Sequence, residues 1–180
     1  MAGYVALLRG INVGGNNPVR MADLRACIES AGFTDVATYI QSGNVVFAAP
    51  TGRSAALTET LEQLLSQRFG FALSVVVRSR AQMRAVVAAA PDGFGGDLHR
   101  CDVIFLKPPL RPAAAARHLQ TREGVDEMHV GPGVLYFSRL ISRVTQSRLN
   151  SIVASPIYAN VTIRNWRTTT RLLELVEQLP

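Results

Sequence analysis

Between Tyr4 and Arg78 the hydrophobic periodicity switches between the strand and helix repeats in one definite order. Strand patterns cover Tyr4 to Arg9, Val36 to Gln41, Val45 to Ala48 and Phe71 to Arg78, and helix patterns cover Met21 to Ala31 and Ser54 to Phe69. The first helix gathers Met21, Leu24, Ile28 and Ala31 on one face and stops at Gly32; the second gathers Leu57, Leu61, Leu64 and Leu65 and stops at Gly70. This βαββαβ order predicts a ferredoxin-like layer, with two helices over one side of four antiparallel strands.

A capping pair, Ser79 and Gln82, opens a helix pattern from Arg80 to Ala90 that Pro91 terminates. After the glycine-rich stretch Asp92 to Asp97 the order recurs: strand Cys101 to Leu106, a short alanine-rich helix Pro112 to Leu119, strands Val125 to Val130 and Val134 to Phe137, helix Val144 to Val153, and strand Ala159 to Ile163. A helix from Trp166 to Leu179, with Asn165 as its N-cap, ends the chain. The expected fold is therefore α+β, two ferredoxin-like halves (1–91 and 98–180) in one compact unit with a C-terminal helix. Strands such as Val5 to Leu8 and Val103 to Leu106 are continuously apolar, which predicts burial on both faces.

No apolar run reaches the roughly 20 residues that span a bilayer, and the N-terminus lacks a signal-peptide pattern, so the expectation is a cytoplasmic protein without a membrane partner. Cys27 and Cys101 read as reduced, packed thiols. The net charge of +6 is carried by eighteen arginines and the single lysine Lys107. From Met128 to Leu173 there is no Asp or Glu, whereas Arg139, Arg143, Arg148, Arg164, Arg167 and Arg171 all fall there. Such a stretch suits polyanions or phosphorylated ligands, and equally a solvated surface in an arginine-rich composition.

In the predicted sheet the first two strands run parallel with the third between them, so the segment Gly10 to Asn17 and the turn Gln41 to Asn44 fall at the same edge. Arg9, Asn12, Gly14, Gly15, Asn16, Arg20, Gln41, Ser42 and Asn44 then converge as candidate ligand-binding residues, with exposed backbone N–H groups suited to an anion. Gly and Asn are also ordinary turn formers, which explains each motif separately. Arg164, beside Asn165, Trp166 and Arg167, is a further candidate contact for a phosphate or base, with Trp166 read as structural.

Gly10-xxx-Gly14-Gly15 matches neither the dinucleotide fingerprint nor the P-loop. His99, His118 and His129 show no paired metal-ligand spacing, and Asp97-x-His99-x-Cys101 reads as the edge of a strand. No metal, cofactor or catalytic set is indicated, and an enzyme acting through backbone N–H and amide groups is left open. Val45-Val46-Phe47 and Leu135-Tyr136-Phe137 lack the RNA-recognition pattern, so any nucleic-acid binding is expected to be weak and without sequence preference.

Leu7-Leu8-Arg9-Gly10-Ile11-Asn12-Val13-Gly14-Gly15, Val19-x-Met21-x-x-Leu24, Gly32-Phe33, Thr38 through Phe47, and Thr162-x-Arg164-Asn165-Trp166 together resemble the bacterial family called domain of unknown function 1697. The resemblance implies a compact α+β protein with ferredoxin-like halves and no established activity. It also implies a lysine just after the paired glycines, where this chain has Asn16-Asn17-Pro18 and then Arg20.

Overall fold

The structure is a computed structural model that describes every residue from Met1 to Pro180. Two compact units are present, one of Met1–Met83 with Arg171–Pro180 and one of Arg84–Thr170. In the first, β1 (Ala2–Arg9), α1 (Met21–Ser30), β2 (Thr34–Tyr39), β3 (Asn44–Ala49), α2 (Ser54–Phe69) and β4 (Ser74–Ser79) follow in sequence. All pairings are antiparallel and the sheet order is β2-β3-β1-β4, the ferredoxin-like order.

Alternation along the strands decides what faces the helices. Tyr4, Ala6 and Leu8 of β1, Val45 and Phe47 of β3, and Val75 and Val77 of β4 pack with Leu24 and Ile28 of α1 and Leu61 and Leu65 of α2. Each fully buried Leu or Ile contributes about 1.5–3 kcal/mol relative to exposure. The residues between them, Val5, Leu7, Val46 and Val76, are buried as well, as their unbroken apolar runs require. Gly70 ends α2 in the left-handed conformation at φ 77°.

Helix α3 (Arg80–Ala88) opens with a reciprocal box: Gln82 N–H donates to Ser79 Oγ at 3.2 Å, and Ser79 N–H donates to Gln82 Oε1 at 2.9 Å. The second unit contains β5 (His99–Leu106), α4 (Pro112–Ala116), β6 (Asp126–Gly131), β7 (Val134–Leu140) and β8 (Val161–Asn165). Its order β6-β7-β5-β8 repeats that of the first sheet. Asn165 caps α5 (Trp166–Glu177) by accepting the Thr168 N–H at 2.7 Å. That helix begins in the second unit and ends in the first, where the Arg80 guanidinium donates to the carbonyl oxygens of Val176 and Leu179.

One expected element differs in kind, and others only in their ends. The segment expected as a helix from Val144 to Val153 is a run of 3₁₀ turns, Ile141–Gln146, Leu149–Ala154 and Tyr158–Asn160. Its Thr, Ser, Asn, Val and Ile are weak helix formers, and Ser147 breaks the path with extended backbone at ψ 146°. Buried Asp126 fixes that break: its Oδ2 accepts the Arg148 N–H at 2.8 Å and the Arg122 N–H at 2.9 Å. Leu149, Ile152 and Ile157 still reach the core beside Ile104, Leu135 and Phe137, so the turns do the packing expected of the helix. No helix is long and apolar enough to cross a membrane.

Candidate functional site

The segment after β1 folds as a miniature hairpin. Asn12 N–H donates to Asn17 O at 3.2 Å and Asn16 N–H to Val13 O at 3.0 Å, with Gly14 and Gly15 at φ 58° and 78° forming the turn. Two successive positive φ values are what a tight two-residue hairpin turn needs, and glycine meets them without a Cβ clash. Gly14 and Gly15 are exposed, and their N–H groups take no part in the chain's own backbone bonds.

Sheet order places the turn between β2 and β3 beside this hairpin, as the strand pattern predicts. Asn12 Nδ2 donates to Gln41 O at 3.0 Å and to Val19 O at 2.9 Å, while Asn12 Oδ1 accepts the Val19 N–H at 2.8 Å. Leu8 N–H donates to Gly43 O at 2.8 Å. A Cβ at Gly43 would lie 2.7 Å from Leu8 Cβ and 2.8 Å from Ile11 Cδ1, so this approach requires glycine.

The candidate residues divide by what they already do. Asn12 uses both amide hydrogens and its oxygen inside the chain, and buried Asn44 donates to Tyr39 O at 3.1 Å, so these two build the edge. Gly14, Gly15, Asn16, Gln41 and Ser42 are exposed, and Arg9 is half-buried at the end of β1. Exposed Arg20 is paired with Asp23, Nε to Oδ2 at 2.6 Å, which raises the guanidinium pKa further. Arg164 lies on β8 in the second unit, outside this cluster; burial lowers its pKa to about 10, and its Nη1 donates to Ile163 O at 2.9 Å. Other arginines of the acid-free stretch also have partners: Arg139 pairs with Asp102, Arg171 with Glu174, and Arg143 donates to Gln146.

Ile40 is the residue that sequence reasoning missed. It is β-branched, half-exposed and held at φ 51° in the turn beside Asn12. Three of the chain's four non-glycine residues at positive φ, Asn12, Asn17 and Ile40, stand at this one edge. Nothing in the sequence marks an isoleucine for the left-handed region, which its branched Cβ disfavours.

The profile described as Protein of unknown function (DUF1697) matches residues 1–136, which include the whole of this edge. The chain belongs to the DUF1697 family. Among solved structures, this DUF1697 chain is similar to the conserved bacterial protein SP0830 from Streptococcus pneumoniae, with a TM-score of 0.86 and 27% identity over 97% of this chain and 98% of that one. No curated protein matches. Arg164 and Trp166 lie beyond the residues that the DUF1697 profile matches.

Proposed function

We propose that this DUF1697 protein binds a small anionic or phosphorylated ligand at the edge formed by the β1–α1 hairpin and the β2–β3 turn. The observation that carries the reading is the concentration there of left-handed backbone, Ile40 included, held in place by the three bonds of Asn12. Strained backbone persists only where the surroundings over-determine it, and such residues cluster at ligand clamps and switch regions. The charge of the ligand follows from the groups at this edge: the N–H groups of Gly14 and Gly15, which the chain's own backbone bonds do not use, the positive charge of Arg9 at the end of β1, itself already engaged within the chain, and the start of α1, whose N-cap residue Arg20 supplies no side-chain cap.

A thermal-shift comparison of inorganic phosphate, a nucleoside monophosphate, citrate and a polyamine tests it. A ligand at 100 times its dissociation constant stabilises by about 2.7 kcal/mol, so the anions raise the melting temperature, the polyamine does not, and Arg9→Gln reduces the anion effect. Equal stabilisation of wild type and Arg9→Gln by every anion contradicts the reading.

A further inference from the structure

The second sheet carries a polar row on the face away from its helix and turns. Register sets Cys101 opposite Ser138 and Ser138 opposite Glu127, with His129 opposite Tyr136 two residues along. Ile104, Leu135 and Phe137 point into the core, so alternation puts Cys101, Ser138, Glu127 and His129 on the other face. There the segment Pro91 to Phe94 and His99 complete a cavity of about 440 Å³.

Its walls are fixed in place. The Phe94 ring meets Tyr136 edge-on at 5.4 Å and Trp166 edge-on at 5.2 Å, and Tyr136 donates its hydroxyl to Val86 O. Cys101 Sγ accepts the Gly95 N–H at 3.1 Å, which ties the loop to the strand.

Two observations say what the cavity suits. Ser138 is only 7% exposed and lines the cavity, and its side-chain hydroxyl makes no hydrogen bond within the chain, so it is open to whatever occupies the cavity. In addition, a chain of net charge +6 lines this cavity with the carboxylates of Asp92 and Glu127 and with no Arg or Lys. Arg139, next in sequence to Ser138, is turned to the opposite face and paired with Asp102; Arg167 lines an adjoining hollow of about 230 Å³ beyond His99 and Cys101. Carboxylates only accept, so a ligand group that meets Asp92 or Glu127 must donate, while Ser138, His99 and His129 can serve its other polar edge.

We propose that this cavity binds a small organic cation, an amine whose ammonium group meets Glu127 and Asp92 while its apolar part lies against Phe94 and a polar edge meets Ser138. The aromatic wall and the carboxylates favour the same charge. This site is separate from the anion site of the first unit and is tested independently of it.

The test is a titration of the ¹⁵N-labelled protein with benzylamine and, separately, with benzyl alcohol, a probe of nearly the same size without the charge. Benzylamine should give saturable amide shifts at Gly93, Phe94, Glu127 and Ser138, and benzyl alcohol should not. Glu127→Gln, at an exposed position, should weaken benzylamine about tenfold, the loss of one charge-assisted contact, with Ser138→Ala as a second variant weakening it less. Three results overturn the proposal: no saturable shift with benzylamine, equal binding of benzyl alcohol, or unchanged affinity in Glu127→Gln.

Discussion

Asn12 ties two segments of the first sheet edge together by donating from Nδ2 to the carbonyl oxygen of Gln41 at 3.0 Å, while its backbone sits at φ 54°. The same side chain also donates to Val19 O and accepts from Val19 N–H. Each such bond is worth about 0.5–1.5 kcal/mol net, so Asn12→Ala should cost about 2–3 kcal/mol in equilibrium denaturation. Asn12→Gly, which tolerates the positive φ, should cost less than Asn12→Ala. Equal losses would show that the bonds alone, and not the backbone geometry, matter at this position.

Gly95 and Trp166 form a second dependency. A Cβ at Gly95 would lie 2.2 Å from Trp166 Cδ1, and φ there is +92°. Gly95→Ala should therefore destabilise by about 2 kcal/mol or more, through overlap and backbone strain together. In a double-mutant cycle with Trp166→Ala the overlap disappears and only the φ penalty remains, so the two losses should be clearly less than additive. Strict additivity would contradict the contact.

Asp126 holds the 3₁₀ run to the second sheet through two backbone N–H groups, those of Arg122 and Arg148. Its Oδ1 is buried without a partner. Asp126→Ala leaves both donors unpaired and should cost about 2–4 kcal/mol. Asp126→Asn keeps one accepting oxygen and should fall between that variant and wild type. Faster hydrogen exchange at Arg148 in both variants is the local readout.

Burial pushes the thiols of Cys27 and Cys101 up in pKa; for Cys101 the Gly95 N–H opposes this without reversing it. Only the thiolate is alkylated, so the iodoacetamide rate of the folded protein should rise with pH and inflect above the point for free cysteine. An inflection below that of free cysteine would mean an activated thiol, contrary to these surroundings.

Much of this fold is legible in the order of periodicities. α2 spans Ser54–Phe69, the residues that its leucine spacing and Gly70 indicate. β4 starts at Ser74 and not at Phe71, because Phe71 packs against the first core from the loop and Leu73 N–H is held by Ser66 Oγ. The helix expected at Val144 to Val153 fails because periodicity reports a buried face, and 3₁₀ turns pinned by the distant Asp126 present the same face. At the edge site, Gly and Asn announce the turns. That Asn12 is fully used within the chain depends on where Val19 and Gln41 place their carbonyls, which only the folded sheet decides. Arg164 reads in sequence as a candidate contact for a phosphate or base, and its desolvation on β8 is a tertiary property. Likewise, Cys101, Ser138 and Glu127 come together only through strand register.

An anion held by the Gly14–Gly15 hairpin would be visible in a ¹H–¹⁵N titration of the protein with inorganic phosphate at constant ionic strength. Backbone N–H groups that bind an anion move downfield as they saturate, so the Gly14 and Gly15 resonances should shift together along one isotherm, with smaller shifts at Gln41 and Ser42 across the turn. Arg9→Gln should weaken that isotherm. Flat Gly14 and Gly15 resonances, or shifts that follow ionic strength and not phosphate, would mean that the hairpin is not an anion site.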